Sequence, residues 1–160
     1  MKFLCDHMLG TLAKWLRFLG YDTAYPGPLD DGDLKTLAAR EDRVLLTRDF
    51  ELNGRVPGSM YIESDDLDEQ FVQVVCAFRL TAEGALSRCS VCNVPIEAVP
   101  KEEASGRVPD GVYSRQRDFW RCRQCGRFYW PGSHFDRVLA KLREMDARAS
   151  QMQPAWKSKV

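Results

Sequence analysis

Two Cys-x-x-Cys pairs constrain this chain more than any other feature. Cys89-Ser90-Val91-Cys92 and Cys122-Arg123-Gln124-Cys125 are separated by 29 residues. Each pair can present two thiolates to one cation, and two such knuckles complete a tetrahedral sulfur shell around Zn²⁺. Gly126 follows the second pair, as a tight knuckle turn favours. Between the pairs, prolines and alternating polar and apolar residues fit the short strands of a zinc ribbon. The alternatives are a redox dithiol pair or disulfides. A closed four-sulfur site leaves no position for substrate, so the expected Zn²⁺, held by Cys89, Cys92, Cys122 and Cys125, serves folding.

The redox compartment bears on that choice. No apolar run approaches the roughly 20 residues a spanning helix needs. The opening Met1-Lys2-Phe3-Leu4-Cys5-Asp6 reaches an acid too early for a signal peptide. A cytoplasmic protein with no membrane partner is expected, and there cysteines serve as ligands or buried thiols. Cys5 and Cys76, inside apolar segments, read as small buried hydrophobes.

The ribbon accounts for only part of the 160 residues. The formal net charge is zero, yet residues 1–78 hold 14 acids against 8 bases, and the remainder carries the balancing excess of Arg and Lys. Two units with different tasks would explain this partition, with the basic one a candidate for touching phosphates; a dipolar surface without function is the plainer reading.

Ahead of the cysteines, apolar runs alternate with helical periodicity. Lys2–Cys5 reads as a strand, followed by Leu9, Leu12, Ala13, Leu16 and Leu19 at helical spacing, stopped at Gly20. Tyr21–Tyr25 is a second strand, and a helix opens at Asp30-Asp31-Gly32-Asp33 and runs to about Glu41. Arg43–Thr47 is a buried strand. A turn through Asn53-Gly54 and Pro57-Gly58 leads to a strand at Met60-Tyr61-Ile62, and Asp65-Asp66 begins a helix carrying Phe71, Val74, Val75 and Phe78. This alternation predicts an α/β fold with a parallel sheet and right-handed crossovers over residues 1–80. A small β-rich zinc ribbon follows over 87–136, then a C-terminal helix and tail over 137–160, with the amphipathic pattern at about 135–150 and the tail at Gln151–Val160.

In open parallel sheets, ligands bind beyond the carboxyl ends of the strands. Asp6 follows the first strand, Asp30 and Asp31 the second, Asp49 the third, and Asp65 and Asp66 the fourth. Clustered carboxylates repel one another, and a hard divalent cation is the usual reason they persist together. Mg²⁺ or Mn²⁺ held at such a rim would suit hydrolysis of a phosphodiester. Aspartate is equally a favoured helix N-cap, and most of these acids precede helical turns; Asp6, which directly ends a strand, is the hardest to explain that way. Dinucleotide, P-loop and serine-hydrolase signatures are absent. Of the two histidines, His7 and His134, the first lies beside Asp6 and could approach the site, but reads better as a surface or helix-start residue. Lys14, Arg17 and Arg48 could grip a phosphate or balance the acids.

Around the second knuckle, Arg115, Arg117, Arg121, Arg123, Arg127 and Arg137 interleave with Tyr113, Phe119, Trp120, Phe128, Tyr129, Trp130 and Phe135. Arginines contact phosphates and exposed rings stack on unpaired bases; several of the aromatics, Trp130 especially, are also expected in the ribbon's own core.

The segments Asp6-His7-Met8-Leu9-Gly10-Thr11-Leu12-Ala13-Lys14-Trp15-Leu16-Arg17 and Leu19-Gly20-Tyr21-Asp22-Thr23 resemble the Mut-seven C-terminal RNase family. So do Leu45-Leu46-Thr47-Arg48-Asp49, Ser87-Arg88-Cys89-Ser90-Val91-Cys92-Asn93 and Tyr129-Trp130-Pro131-Gly132-Ser133-His134. The resemblance spans about residues 2–136 and implies a PIN-like nuclease domain, three-layered, with a C-terminal zinc ribbon. It implies a ribonuclease whose Asp6, Asp31 and Asp49 hold Mg²⁺ or Mn²⁺, with Asp65 a fourth catalytic member. Asp31 is preferred to Asp30 because it stands seven residues before Ala38, where the PIN-like pattern sets its helix-start acid. Lys14 departs from the arginine favoured there, which keeps the charge but loses a two-pronged phosphate grip. Against this stand a non-catalytic RNA- or ribosome-binding module on the same scaffold, and an adaptor that meets a protein partner or a second copy through the ribbon.

Overall fold

Alternation along the first strand determines how the layers form. In β1 (Lys2–Cys5), Phe3 and Cys5 project to one side of the sheet and Leu4 to the other, and all three are fully buried. Helices must therefore cover both faces. In this computed structural model they do, over the described residues, which are 1–132 with Asp136, Ala140, Arg143, Glu144 and Ala147.

The order continues with a 3₁₀ turn at His7–Leu9, α1 (Gly10–Phe18), β2 (Asp22–Ala24), α2 (Asp31–Glu41), β3 (Val44–Thr47), α3 (Phe50–Arg55), β4 (Met60–Tyr61) and α4 (Leu67–Phe78). The four strands are parallel in the order β2-β1-β3-β4. On one face, Phe3, Cys5 and Leu46 pack with Leu12 and Leu16 of α1 and Phe71 and Val74 of α4. On the other, Leu4 and Leu45 pack with Leu34 of α2 and Leu52 of α3. The expected α/β fold is present.

One expected turn is a helix. Asn53-Gly54 lies inside α3, because Asp49 caps the helix and Leu52 anchors it in the core. The chain reverses one step later, at Pro57-Gly58, where Ser59 N–H donates to the Val56 carbonyl at 3.1 Å and Gly58 takes φ +76°.

Beyond α4, β5 (Ile96–Val99), β6 (Phe119–Cys122) and β7 (Phe128–Tyr129) form an antiparallel sheet in that order. Between β5 and β6, where short strands were expected, stand a 3₁₀ turn at Lys101–Ala104 and the short helix α5 (Asp110–Arg115). Pro100 and Pro109 introduce them; a proline offers no N–H to a ladder and so ends strand pairing. Ala104, Val108 and Phe119 form a small core there, with Val112, Tyr113 and Trp130 against it.

Backbone meets backbone where the two sheets join. Gly20, at φ +96°, lies so close to Gly84 that an added Cβ would sit 2.1 Å from its carbonyl oxygen. Nearby, Leu86 N–H donates to the Phe18 carbonyl at 2.6 Å. Cys5 is fully buried as expected, while Cys76 is only partly covered. Among the described residues no helix is long and apolar enough to cross a membrane. Apart from the five isolated positions, the helix expected over 135–150 and the tail lie outside the described residues, with His134, Phe135 and Arg137.

Candidate active-site rim and metal centre

In the order β2-β1-β3-β4, the chain crosses from β1 to one side and then returns to its other side. The topological switch point therefore lies between β1 and β3. Asp6 directly follows β1 and Asp49 stands two residues after β3, so both acids belong to the strands flanking that crevice.

Asp6 is only 2 % exposed. Its Oδ1 accepts from Met8 N–H at 2.8 Å, and its Oδ2 from the Thr47 hydroxyl at 2.5 Å and Arg48 N–H at 3.0 Å. The same hydroxyl accepts from Asp49 N–H at 2.9 Å, so one threonine ties the two acidic positions together. Asp49 is exposed; its Oδ1 caps α3 through Leu52 N–H at 2.9 Å, and its second oxygen takes no hydrogen bond among the described residues.

The other acids are engaged at the surface. Asp30 caps α2 through Asp33 N–H at 2.8 Å, which leaves Asp31 to pair with Arg55 at 3.3 Å. Asp66 caps α4 through Glu69 N–H at 3.0 Å, while Asp65 pairs with Arg48. The Nε of Arg48 is buried without a hydrogen-bond partner. An unmatched buried donor costs about 1–3 kcal/mol, which an incoming anionic oxygen or a water would relieve.

These donors suit Mg²⁺ or Mn²⁺ chemically: they are hard carboxylate oxygens, two of them flanking the crevice. They do not form a closed cage, because no three carboxylates among the described residues come close enough to share an ion. Mg²⁺ is commonly held by one or two carboxylates with substrate phosphate completing its shell, and the rim has that open character.

The cysteines do converge. The four Sγ atoms of Cys89, Cys92, Cys122 and Cys125 lie within 4.8 Å of one another, with Cys89 and Cys125 at 3.8 Å. The edge of a tetrahedron with Zn–S bonds of about 2.3 Å is about 3.8 Å, so the group can hold a metal such as zinc. Both knuckles turn alike, ending on left-handed residues, Asn93 at φ +64° and Gly126 at φ +72°. The first of these N–H groups donates to the Cys89 carbonyl at 3.0 Å, the second to the Cys122 carbonyl at 2.9 Å.

Their thiols are not equivalent. Burial opposes ionisation of Cys89, but hydrogen bonds from the Tyr129 hydroxyl and the Cys92 and Val91 N–H groups outweigh it and pull the thiol down to about 6. Burial and the neighbouring thiols push Cys92 up to about 12, and burial raises Cys122.

The model of the Mut7-C RNAse domain family matches residues 1–142, most of the chain and both sheets. The chain belongs to this family. No curated protein and no solved structure matches it.

In this Mut7-C RNase domain the expected RNA-contacting residues divide. Lys14 is exposed on α1. Arg17, expected at the phosphate, is instead buried at 6 % exposure. Its guanidinium donates to the Thr23 carbonyl at 2.8 Å and to the Ser90 and Val91 carbonyls at 3.0 and 2.8 Å, which makes it a strut from α1 to the first knuckle. Arg121 pairs with Glu103 at 2.8 Å and Arg123 with Glu97. Arg115, Arg117 and Arg127 are exposed and form no ion pair among the described residues. His7 is exposed, and its carbonyl accepts from the Tyr25 hydroxyl at 3.0 Å.

Asn93 was not singled out from sequence. It donates to Asp22 at 2.7 Å and accepts from Thr23 N–H at 2.9 Å, so it pins the knuckle to β2. Asp22 also takes Arg43 at 2.7 Å; burial works against its charge, but the bonds from Arg43 and Asn93 hold its carboxyl below the usual range. An asparagine directly after the knuckle, suited to a left-handed turn, was the available signal.

Proposed function

We propose that this Mut7-C family member is a ribonuclease of the cytoplasm that hydrolyses RNA phosphodiester bonds with Mg²⁺ or Mn²⁺. In this reading residues 1–80 form the nuclease unit and the ribbon over 87–136, built around structural Zn²⁺, presents the RNA. The observation that carries the reading is the pair of acids at the switch point, Asp6 and Asp49, joined through the Thr47 hydroxyl.

The family supports an RNase-type activity, and in this reading the crevice would be where the phosphodiester is cut. A divalent cation bound there would activate water and neutralise charge on the phosphate. Asp6, fixed by three donors, gives a carboxylate that cannot swing away. Asp49 would contribute its second oxygen, which takes no hydrogen bond among the described residues. Arg48 brings its unmatched Nε–H to a phosphate oxygen, with Asp65 steadying the far end of its guanidinium. Asp31 would join as a third ligand by leaving Arg55, an exposed pair that costs little to break.

One observation favours a second reading, an RNA-binding module that does not cut: Asp6 and Asp49 both already accept backbone N–H bonds as caps do. Cleavage of labelled RNA with and without Mn²⁺ separates the two. The ribonuclease reading expects Mn²⁺-dependent products that Asp6→Asn and Asp49→Asn abolish. Equal cleavage by wild type and both variants would overturn it, and binding without cleavage at any Mn²⁺ concentration would establish the second.

A further inference from the structure

The ribbon sheet has two faces, and only one is used by its own core. By the two-residue period of a strand, Phe119 of β6 faces Ala104 and Val108, while Trp120 faces the opposite way. Trp120 stands across from Tyr129 of β7 and Ala98 of β5 in the ladder. Trp120, Tyr129 and Ile96 line a cavity of about 660 Å³ together with Phe18 and Leu86, and Arg127, Phe128 and Trp130 also lie on its lining. A volume of that size lies within the roughly 300–1,000 Å³ typical of small-ligand pockets.

The walls suit a flat aromatic guest with a negative charge attached. Trp120 and Tyr129 offer ring surface, and Arg127 is exposed with no ion pair among the described residues. Tyr129 is fixed as well as placed: its hydroxyl donates to Cys89 Sγ at 3.0 Å and accepts from Ser90 N–H at 3.2 Å. A ring held by the zinc knuckle loses little freedom when a base stacks on it, which is the condition under which stacking adds most affinity. The surrounding half of the chain carries the excess of basic residues, complementary to a phosphodiester backbone. An apolar protein segment would fill the same space but has no use for the arginine.

We propose that this cavity is a nucleobase pocket that takes one unpaired base of single-stranded RNA against Trp120 and Tyr129, with Arg127 at the neighbouring phosphate. The proposal rests on the RNA-directed reading above and deepens it by giving the ribbon a base-binding role distinct from the cleavage crevice. The pocket does not touch the acidic rim, so it selects unpaired substrate without entering the reaction.

The test uses the full zinc-loaded chain without added Mg²⁺ or Mn²⁺, titrated into an oligoribonucleotide whose only base is one central 2-aminopurine, every other nucleotide being abasic, so that no neighbouring base can take its place. The expected results are quenching of the 2-aminopurine on binding and an affinity about tenfold weaker when that nucleotide is abasic. Trp120→Ala should weaken the intact oligonucleotide by a similar factor and abolish the intact-to-abasic contrast. Arg127→Ala should weaken both oligonucleotides equally and flatten the salt dependence. Equal affinity of the wild type for intact and abasic RNA would overturn the pocket; that result is expected if the residues after Gly132 fill the cavity or if it serves a protein partner and takes no base. A contrast that survives Trp120→Ala would overturn it too, by placing the base elsewhere. The abasic comparison needs no variant, so a Trp120→Ala protein that fails to retain zinc leaves the test intact. Base-dependent binding with no Mn²⁺-dependent cleavage would sink the nuclease reading alone, and cleavage without base dependence the pocket alone.

Discussion

Cys89 shows how a single side chain is tuned by groups that sequence spacing does not display. The Cys-x-x-Cys pattern marks it as a ligand, but the Tyr129 hydroxyl, which with the Cys92 and Val91 N–H groups overcomes burial and lowers its thiol to about 6, arrives from 40 residues away. The lowering has a definite sign. An acid whose folded value falls from 9.0 to about 6 adds stability in full above 9, and that stability is lost as pH drops through 6. Cys92, raised to about 12, acts oppositely and only above 9. The zinc-stripped protein should therefore unfold at progressively lower urea between pH 9 and pH 6. Tyr129→Phe should shallow that slope, read from urea midpoints across the range; a slope unchanged by the variant would remove Tyr129 as the cause. Arg17 was equally hidden. Its acceptors at Ser90 and Val91 lie 73 and 74 positions away, so from sequence it reads as a helix-surface cation free to reach RNA.

At the scale of elements, strands ending in acids were readable from sequence because apolar runs and aspartates are local signals. What those aspartates do was not readable, because capping and metal binding ask for the same residue in the same place. Asp30, Asp49 and Asp66 all cap the helices that follow them. At Asp49 the two roles can be separated. Asparagine caps about as well as aspartate, whereas alanine costs about 1 kcal/mol. Asp49→Asn should keep the wild-type urea midpoint and lose cleavage, while Asp49→Ala should lose both cleavage and about 1 kcal/mol of stability. Loss of stability in the asparagine variant would show that the charge itself supports the fold. Asp49 marks a helical turn in the sequence, but the extent of α3 was not readable, because Asn53-Gly54 is a strong turn signal that only the buried Leu52 and the Asp49 cap override. The 3₁₀ turn and α5 inside the ribbon were missed because a segment bracketed by cysteine pairs suggests strands throughout.

Across the whole molecule, the charge partition near residue 78 was visible in the sequence, but the joint between the two sheets was not. That joint is polar and long-range: Arg17 to Ser90 and Val91, Asn93 to Asp22 and Thr23, and Arg88 to the Gly20 carbonyl at 3.2 Å. The first knuckle is thus built into the edge of the parallel sheet. Stripping zinc with a chelator should therefore lower amide-exchange protection at Thr23 and Ala24 of β2, as well as in the ribbon. Protection that stays at its original level in β2 would mean that the struts hold without the metal. Gly20 adds a restriction of another kind. Its hydrogen occupies a gap with the Gly84 carbonyl that no methyl group could enter. Any side chain placed there must push the Gly84 backbone away and strain a left-handed φ, so a residue with no chemistry of its own sets how closely the segments around Gly20 and Gly84 approach.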